Sequence, residues 1–250
     1  MGALLRTDSY KRQVSIMTAP RASSGLAPTM PAATIASWWL RAAFVAVGLG
    51  AWFWTQSLIG QRAFPDSGVG DVVHQWTAGL HDAFQTHPQA ANTLLIISSA
   101  VIDLVGVSLL AATLFGRTVR PFLGLFMLFA LRQLCQMLCA LPAPPEMIWH
   151  NTGVPTLLVT YGVSTDFFFS GHTGLAVLAA VELARTGRKS LATLGVLIVL
   201  FEAWTVLVLR AHYTMDVYAG AVTALLVAEL SRRWAPACDR ALAQLSGRTL

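Results

Sequence analysis

The chain has 250 residues, of which 55% are hydrophobic and only 12% charged, and its mean hydropathy is +0.60. A soluble domain carries roughly twice that charged fraction, so the composition excludes an ordinary soluble globular protein. The net charge of +5 does not indicate a nucleic-acid partner, because the basic residues flank apolar runs instead of forming one basic face.

Apolar runs near 20 residues long predict membrane-spanning helices, because a helix of that length crosses a bilayer. We therefore expect an all-α, polytopic membrane protein with six transmembrane helices. The predicted spans are, in chain order, 34–59, 91–115, 119–141, 167–184, 191–209 and 215–234. On this division the chain has a flexible cytosolic N-terminal tail, a six-helix membrane catalytic domain and a cytosolic C-terminal tail, at 1–33, 34–234 and 235–250.

Polar segments between the spans are expected to be loops. The first, 60–90, can contain a short surface helix at 71–84. We expect the loop histidines to be solvated, namely His74, His81, His87 and His150. Cys135 and Cys139 lie four positions apart in an apolar helix and are expected to be buried thiols.

The distribution of Lys and Arg predicts the topology. With the N-terminus inside, only Arg62 and Arg210 fall clearly on the outer side, so both termini are cytosolic. His172, His212 and Asp216 then lie at one level on the outer, periplasmic or lumenal, face. The compact loops favour a bacterial inner membrane over a eukaryotic Golgi or plasma membrane.

Two short segments, 168–173 (FFSGHT) and 212–216 (HYTMD), place ionisable side chains at span ends. Such groups are costly in a bilayer and usually mark function. His212 and Asp216 are four apart, so on a helical turn they share a face. The carboxylate would fix the imidazole tautomer and leave the other nitrogen free to attack phosphorus. His172 could then act as general acid and base.

Other polar residues could bind the substrate. Ser170 and the amides around Gly171 lie at a helix start, where a phosphate oxygen can bind. Arg132 or Arg210 could neutralise charge in the transition state. The structural alternative for Arg132 is a snorkelling or helix-bridging side chain. A lone interfacial histidine is often only a satisfied polar residue, but two histidines with a carboxylate at one level favour a site. No acidic cluster indicates a divalent ion, so we expect no metal and no cofactor.

The motifs resemble those of the sphingomyelin synthase family, within the type-2 phosphatidate phosphatase superfamily. Segment 166–173 (DFFFSGHT) resembles the family's third motif and 212–217 (HYTMDV) its fourth. Segment 132–144 (RQLCQMLCALPAP) also resembles a family motif, with cysteines where the family has threonines. Segment 64–66 (FPD) resembles the first motif more weakly. The resemblance covers roughly 60–232. The phosphatase branch fits less well, because Val206 occupies the position of a usual arginine.

The resemblance implies that His212 is the nucleophile, Asp216 its partner and His172 the acid/base. It also implies that Asp166 lies near the head-group site, and Tyr213, within the fourth motif, is a further candidate substrate-binding residue. The family transfers phosphocholine from a glycerophospholipid to ceramide, without a metal. We therefore expect a phospholipid donor and ceramide, diacylglycerol or another lipid alcohol as acceptor, through a phosphohistidine-type intermediate.

Two other functions are open at this point. A lipid phosphatase or phospholipase C-like hydrolase would use the same residues with water as acceptor, because pocket shape and water exclusion choose the acceptor. A transporter or structural membrane protein would use the polar residues for packing, and its paired mid-membrane helix breaks are not evident in the sequence. Head group and oligomeric state cannot be read from the residues.

Overall fold

A computed structural model of the chain describes residues 46–51, 53–55, 57–58, 69–159, 161 and 167–245. The chain divides into two units, residues 1–63 and 64–250. In the first unit the described residues are helical and their side chains are exposed. They belong to the later half of the first predicted span, 34–59, whose residues 34–45 lie outside the described part.

The described part of the second unit is built from helices joined by short turns and one longer loop. These helices are α1 Val72–Trp76, α2 Ala78–Thr86, α3 Pro88–Leu114, α4 Arg120–Leu138, α5 Gly171–Ala184, α6 Lys189–Val208 and α7 Thr214–Leu245. The longer loop, 139–170, connects α4 to α5 and is described except at 160 and 162–166.

Four of the described helices are long and apolar enough to cross a membrane: α3, α4, α6 and the Thr214–Gln244 part of α7. Helix α5 is apolar but has only 14 residues. The prediction of a helical multi-pass membrane protein is therefore confirmed. The number six stays a prediction, because the first span lies largely outside the described residues and the fourth corresponds to the short α5.

Helix boundaries differ from the predicted spans where polar chemistry, not hydropathy, decides them. Helix α5 begins at Gly171 because the Ser170 hydroxyl accepts the Thr173 N–H, 3.3 Å away, as an N-cap. Helix α7 continues through Pro236 to Leu245. Most of the stretch predicted as a C-terminal tail, 235–250, is therefore helical.

Helix α5 lies at the centre of the bundle and packs against α3, α4, α6 and α7. Its residues 172–179 are all buried, as expected for a helix that is apolar on every side. Glycines allow the closest crossings. A Cβ on Gly195 of α6 would lie 2.7 Å from the Ala180 Cα, and one on Gly220 of α7 would lie 2.5 Å from the Ser170 carbonyl oxygen. Small residues at such crossings allow helices in a membrane to pack closely.

The structure contradicts two expectations for side-chain burial. His74 and His81 are buried, at 7% and 0% exposure, because the segment predicted as a polar loop folds into α1 and α2, which pack against α6. His87 and His150 are exposed, as predicted. Cys139 is exposed because α4 ends at Leu138, and the expectation of a buried thiol is wrong there. All three cysteines are free.

Candidate active site

The turn between α6 and α7 positions His212. Helix α6 ends as Arg210 adopts a left-handed backbone conformation, with φ of 53°. The N–H groups of Ala211 and His212 then both donate to the Val206 carbonyl, at 2.8 and 3.3 Å. This hydrogen bonding closes the helix and turns the chain, so His212 precedes α7 instead of lying within it.

Asp216 reaches His212 through this turn and not through regular helix spacing. The Asp216 carboxylate accepts the Tyr213 N–H at 2.9 Å and so caps α7, and the same Oδ2 lies 3.7 Å from His212 Nδ1. His212 Nδ1 lies 2.8 Å from the Phe167 carbonyl. Since a carbonyl only accepts, Nδ1 carries the proton and Nε2 is left with the lone pair. The predicted tautomer control is therefore performed by a backbone carbonyl, with Asp216 adding negative charge nearby.

The start of α5 is tied directly to the start of α7. The Ser170 N–H donates to the Asp216 carbonyl at 3.0 Å, so the two sequence motifs share a backbone hydrogen bond. The close crossing at Gly220 lies at the same place. This junction brings His172, in the first turn of α5, to the same cavity as His212, although 39 residues of sequence separate 172 and 212.

The two histidines line one small cavity of about 60 Å³, between α3, α4, α5 and the long loop. Its other walls include Arg132, Trp149, Phe167 and Leu175. Trp149 packs edge-on against the His172 ring, with centroids 5.3 Å apart. Within the described part of the chain, His172 Nε2 and Asp216 Oδ1 are buried without a hydrogen-bond partner. Buried polar atoms are normally paired, and His172 lines the cavity, so its Nε2 is available to a polar group that enters there.

Arg132 is the predicted cation that lies at this cavity. Its Nε donates to the Phe169 carbonyl at 3.0 Å, just before α5. A Cβ on Gly171 would lie 3.3 Å from that Nε, so glycine lets the guanidinium approach the first turn of α5. A guanidinium beside two histidines suits an anionic phosphate oxygen, because it presents several donors in a fixed plane.

The other predicted substrate-binding residues that the structure describes do not line the cavity. Arg210 forms an ion pair with Glu146 of the long loop. Tyr213 stacks on His74, with centroids 5.7 Å apart. Burial raises the pKa of the Tyr213 hydroxyl, and the carboxylates of Asp216 and Asp71 raise it further, so the phenol stays neutral. The Ser170 hydroxyl serves as the cap of α5, and Asp166 lies outside the described residues.

Sequence reasoning missed three residues that hold the His212 turn. His74 Nε2 donates to the His212 carbonyl at 2.9 Å, and His81 Nδ1 donates to the Val208 carbonyl at 2.8 Å. Asp71 accepts hydrogen bonds from the Thr214 N–H at 2.5 Å and its hydroxyl at 2.8 Å. The sequence contains only a weak signal for these residues. Asp71 is a polar residue directly before apolar ones, which is the usual sign of a helix N-cap.

Asp71 also caps α1, through the N–H groups of Val73 and His74. Burial alone would raise the pKa of this carboxyl. The hydrogen bonds from Thr214 and the nearby His74 outweigh burial and hold the pKa below its ordinary value. Asp71 is therefore an ionised link between the surface helices and the start of α7.

The long loop is fastened to α3 on the other side of the cavity. Asp103 accepts the N–H groups of Leu157 and Leu158, each at 2.8 Å, and Ser99 is 2.7 Å from the Tyr161 hydroxyl. Asp103 is therefore a polar bridge between α3 and the loop. Glu202 is likewise a bridge, since it accepts the Ser98 hydroxyl at 2.6 Å. Asp103 thereby holds Leu158 against the cavity that the histidines line.

The helices and this cavity define a multi-pass membrane protein with a paired-histidine site between its helices. The chain belongs to the AtPDCT1/2 family, whose model matches residues 70–233. That range includes every described residue of the site. The narrower resemblance to sphingomyelin synthases is not confirmed by this match and stays a prediction.

Two curated relatives come from Arabidopsis thaliana. Phosphatidylcholine:diacylglycerol cholinephosphotransferase 1 is 22% identical over 181 residues, which cover 72% of this chain and 58% of the relative. Phosphatidylcholine:diacylglycerol cholinephosphotransferase 2 is 27% identical over 119 residues, covering 48% and 38%. The match thus spans less than two thirds of either relative. No solved structure matches the chain. Because both relatives are from a plant, they give no support to the expectation of a bacterial membrane.

Proposed function

We propose that this protein transfers phosphocholine between lipids, from phosphatidylcholine to diacylglycerol, through a phosphohistidine on His212. The observation that carries the proposal is the cavity lined by both His172 and His212, with the His212 tautomer fixed by the Phe167 carbonyl. The relatives' names supply the donor and the acceptor class. Ceramide, which the sphingomyelin synthase resemblance implies, is the alternative acceptor.

The first half-reaction forms the intermediate. His212 Nε2 attacks the phosphorus of the donor, and the bond between phosphorus and the glycerol oxygen breaks. His172 protonates the departing alkoxide, which leaves as diacylglycerol. Arg132 stabilises the negative charge on the phosphoryl oxygens. Asp216, 3.7 Å from His212 Nδ1, balances the positive charge that the imidazole acquires.

The second half-reaction is the reverse with a new alcohol. The neutral His172 takes the proton of the acceptor hydroxyl, the oxygen attacks phosphorus, and the P–N bond to His212 breaks. Since a diacylglycerol leaves and a diacylglycerol enters, one binding position serves both steps. An acceptor of the same class as the leaving group is therefore the simplest fit to a single cavity.

The cavity of about 60 Å³ is small, and we propose that it widens to admit the head group. Leu158 and Val159 of the long loop form one wall, so movement of this loop would admit the head group. A separate groove of about 380 Å³ lies between α3 and the long loop. Ser99 and Asp103 are among its lining residues. We place an acyl chain of the lipid substrate in this groove, since most of its wall is apolar.

The proposal is tested with donor and acceptor labelled differently. Purified protein is given phosphatidylcholine with deuterated choline, and diacylglycerol with distinct acyl chains. Mass spectrometry should find deuterated choline on the new chains. His212→Ala should abolish this product, whereas His87→Ala, which changes an exposed histidine outside the cavity lining, should not. Absence of transfer by the wild-type protein, or full transfer by His212→Ala, would overturn the proposal.

Further arms of the same assay separate the alternatives. Transfer to ceramide in place of diacylglycerol would assign the sphingomyelin synthase reaction. Release of phosphocholine without any lipid acceptor would assign a hydrolase.

The proposed placement of the site on the non-cytosolic face rests on the Lys and Arg distribution. Labelling of the exposed Cys139 by a membrane-impermeant thiol reagent tests this placement.

A further inference from the structure

The end of the bundle away from the histidines contains a second cavity, of about 420 Å³. It lies between the end of α3, the start of α4 and the end of α5. We call it the basic pocket, because Arg117, Arg120 and Arg185 line it together with a single carboxylate, Glu182. Glu182 and His172 are ten residues apart on α5, which separates the two cavities by about 15 Å along the helix.

Glu182 is already fully engaged. Its two oxygens accept three hydrogen bonds from Arg120, at 2.8 to 3.2 Å, and one from Arg185, at 2.5 Å. Arg185 also donates to the Ala228 carbonyl on α7, at 2.8 Å. These contacts join three helices, so packing alone explains Arg120 and Arg185.

Packing does not explain Arg117, which is exposed and makes no hydrogen bond or ion pair within the described residues. Three arginines against Glu182 leave a net charge of +2 at the pocket. Asp239 accepts the Val119 N–H beside it, at 2.8 Å, and counting this carboxylate still leaves +1. The pocket is therefore electropositive while its other walls, among them Leu109 and Ala179, are apolar.

The start of α4 contributes little to this attraction. The Val119 N–H is bonded to Asp239 and the Arg120 N–H to Thr118, while Phe122 donates to Thr113. The free donors consequently come chiefly from the Arg117 guanidinium, since Arg120 and Arg185 are bonded to Glu182. Guanidinium groups beside apolar walls match the anionic head and acyl chain of a phospholipid, and basic pockets between membrane helices commonly hold such head groups.

We propose that the basic pocket binds the phosphate group of an anionic phospholipid. This binding is separate from catalysis, because the pocket shares no lining residue with the histidine cavity. The proposal therefore holds or fails independently of the proposed transfer reaction. The same donors could bind free inorganic phosphate, and the experiment separates the two sources.

Binding is measured by native mass spectrometry on purified protein carrying His212→Ala, so that the histidine site performs no chemistry. The probes are phosphatidylglycerol and phosphatidylcholine with identical acyl chains. Arg117→Gln should weaken phosphatidylglycerol binding about fivefold, the effect of removing one basic residue near a lipid surface. Binding of phosphatidylcholine, the proposed substrate of the histidine cavity, should not change in this variant. Arg188→Gln with Lys189→Gln is the matched control, since these exposed cations at the same end do not line the pocket.

Glu182→Gln gives the sharpest test, because it predicts a gain. Removing the carboxylate frees both paired guanidinium groups, so phosphatidylglycerol should bind more tightly than to the parent protein. A purely structural cluster would give lower thermal stability and no gain in binding. Equal loss of the two lipids in Arg117→Gln, or equal loss of phosphatidylglycerol in Arg117→Gln and the matched control, would also overturn the proposal. Displacement of phosphatidylglycerol by inorganic phosphate would identify the free ion as the ligand.

Discussion

The two ends of the bundle are held together by different means. At the histidine end, side chains bond to the backbone of the α6–α7 turn: His74 and His81 donate to carbonyls, and Asp71 accepts from Thr214. At the basic end, Glu182 pairs with arginines that are 23–29% exposed. Buried bonds to the backbone fix the position of atoms, whereas exposed ion pairs are screened and add little stability. The end that holds the proposed nucleophile is thus built from side chains bonded to the backbone of a fixed turn.

The largest expected effect concerns the two histidines proposed to be catalytic. His212→Gln should lower transfer by at least about 10⁴-fold, since the nucleophile is lost. His172→Gln should lower it by roughly 10²–10⁴-fold, the usual contribution of an acid/base group. A donor with sulfur in place of the bridging ester oxygen separates the roles, because a thiolate leaves without a proton. Diacylglycerol-thiol release should recover in His172→Gln and not in His212→Gln, and recovery in both would reject these assignments.

The junction between α5 and α7 should tolerate no added carbon. Gly220→Ala places a Cβ 2.5 Å from the Ser170 carbonyl oxygen, so the helices must move apart, at a cost of about 1–3 kcal/mol. Gly79→Ala is the matched control, since nothing lies within 4 Å of its Cβ, and it should gain up to about 1 kcal/mol. Thermal unfolding in detergent measures both. A neutral Gly220→Ala would show that the crossing is not tight.

Loss of the hydrogen bond to the His212 carbonyl should affect turnover more than binding. His74→Phe keeps a ring against Tyr213 but leaves that carbonyl without its donor. We expect kcat to fall by about 10-fold to 100-fold, with KM little changed, because a small misplacement of a reacting group has effects of this size. His74→Gln, which can still donate, should recover part of kcat. Equal losses in both variants would assign the ring a packing role only.

Asp71 should make stability depend on pH in the acid range. Its pKa in the folded protein lies below the ordinary 3.8, so its contribution is complete above 3.8 and is lost as pH falls through the lower folded value. The melting temperature of Asp71→Asn should therefore lie below that of the wild type at pH 6. The difference should shrink below pH 3.8. A difference independent of pH would mean that the charge of Asp71 contributes nothing.

The smallest effect belongs to an exposed ion pair on α7. Glu229 bonds Arg232 and Arg233, whose side chains are 58% and 64% exposed. Glu229→Gln should leave the melting temperature and the transfer rate unchanged within error, because water and salt screen such pairs. A clear loss of stability would show that ion pairs hold this end of α7 more strongly than the comparison of the two ends implies.

Much of the fold follows from the sequence because membrane spans are encoded by local hydropathy. The apolar runs located α3, α4 and α6 to within three residues at either end. Hydropathy cannot show where a helix ends once it leaves the apolar layer. The start of α5 depends on the Ser170 cap, and the end of α7 continues through polar residues up to Leu245.

The sequence indicated that His172 and His212 lie close together, and the structure places both at one cavity, but the geometry that joins them was not predictable. The spacing of His212 and Asp216 indicated proximity, but α7 begins at Thr214, so a capped turn brings the two together instead of a shared helical face. His74 and His81 bond to backbone carbonyls more than 120 residues away in sequence. No local pattern encodes such a partner, since every residue type offers the same carbonyl.

The shortness of α5 has a consequence for how lipids meet the protein. Fourteen residues rise about 21 Å, whereas the hydrocarbon core of a bilayer is about 30 Å thick. With the C-terminal end of α5 at one surface of that core, His172, the second residue of the helix, lies about 11 Å beneath the other. The surrounding membrane then has to thin around the protein, or the protein has to open a depression in it. In either case the ester linkage of the proposed lipid substrate would reach the histidines by sideways diffusion, without extraction of the molecule from its leaflet.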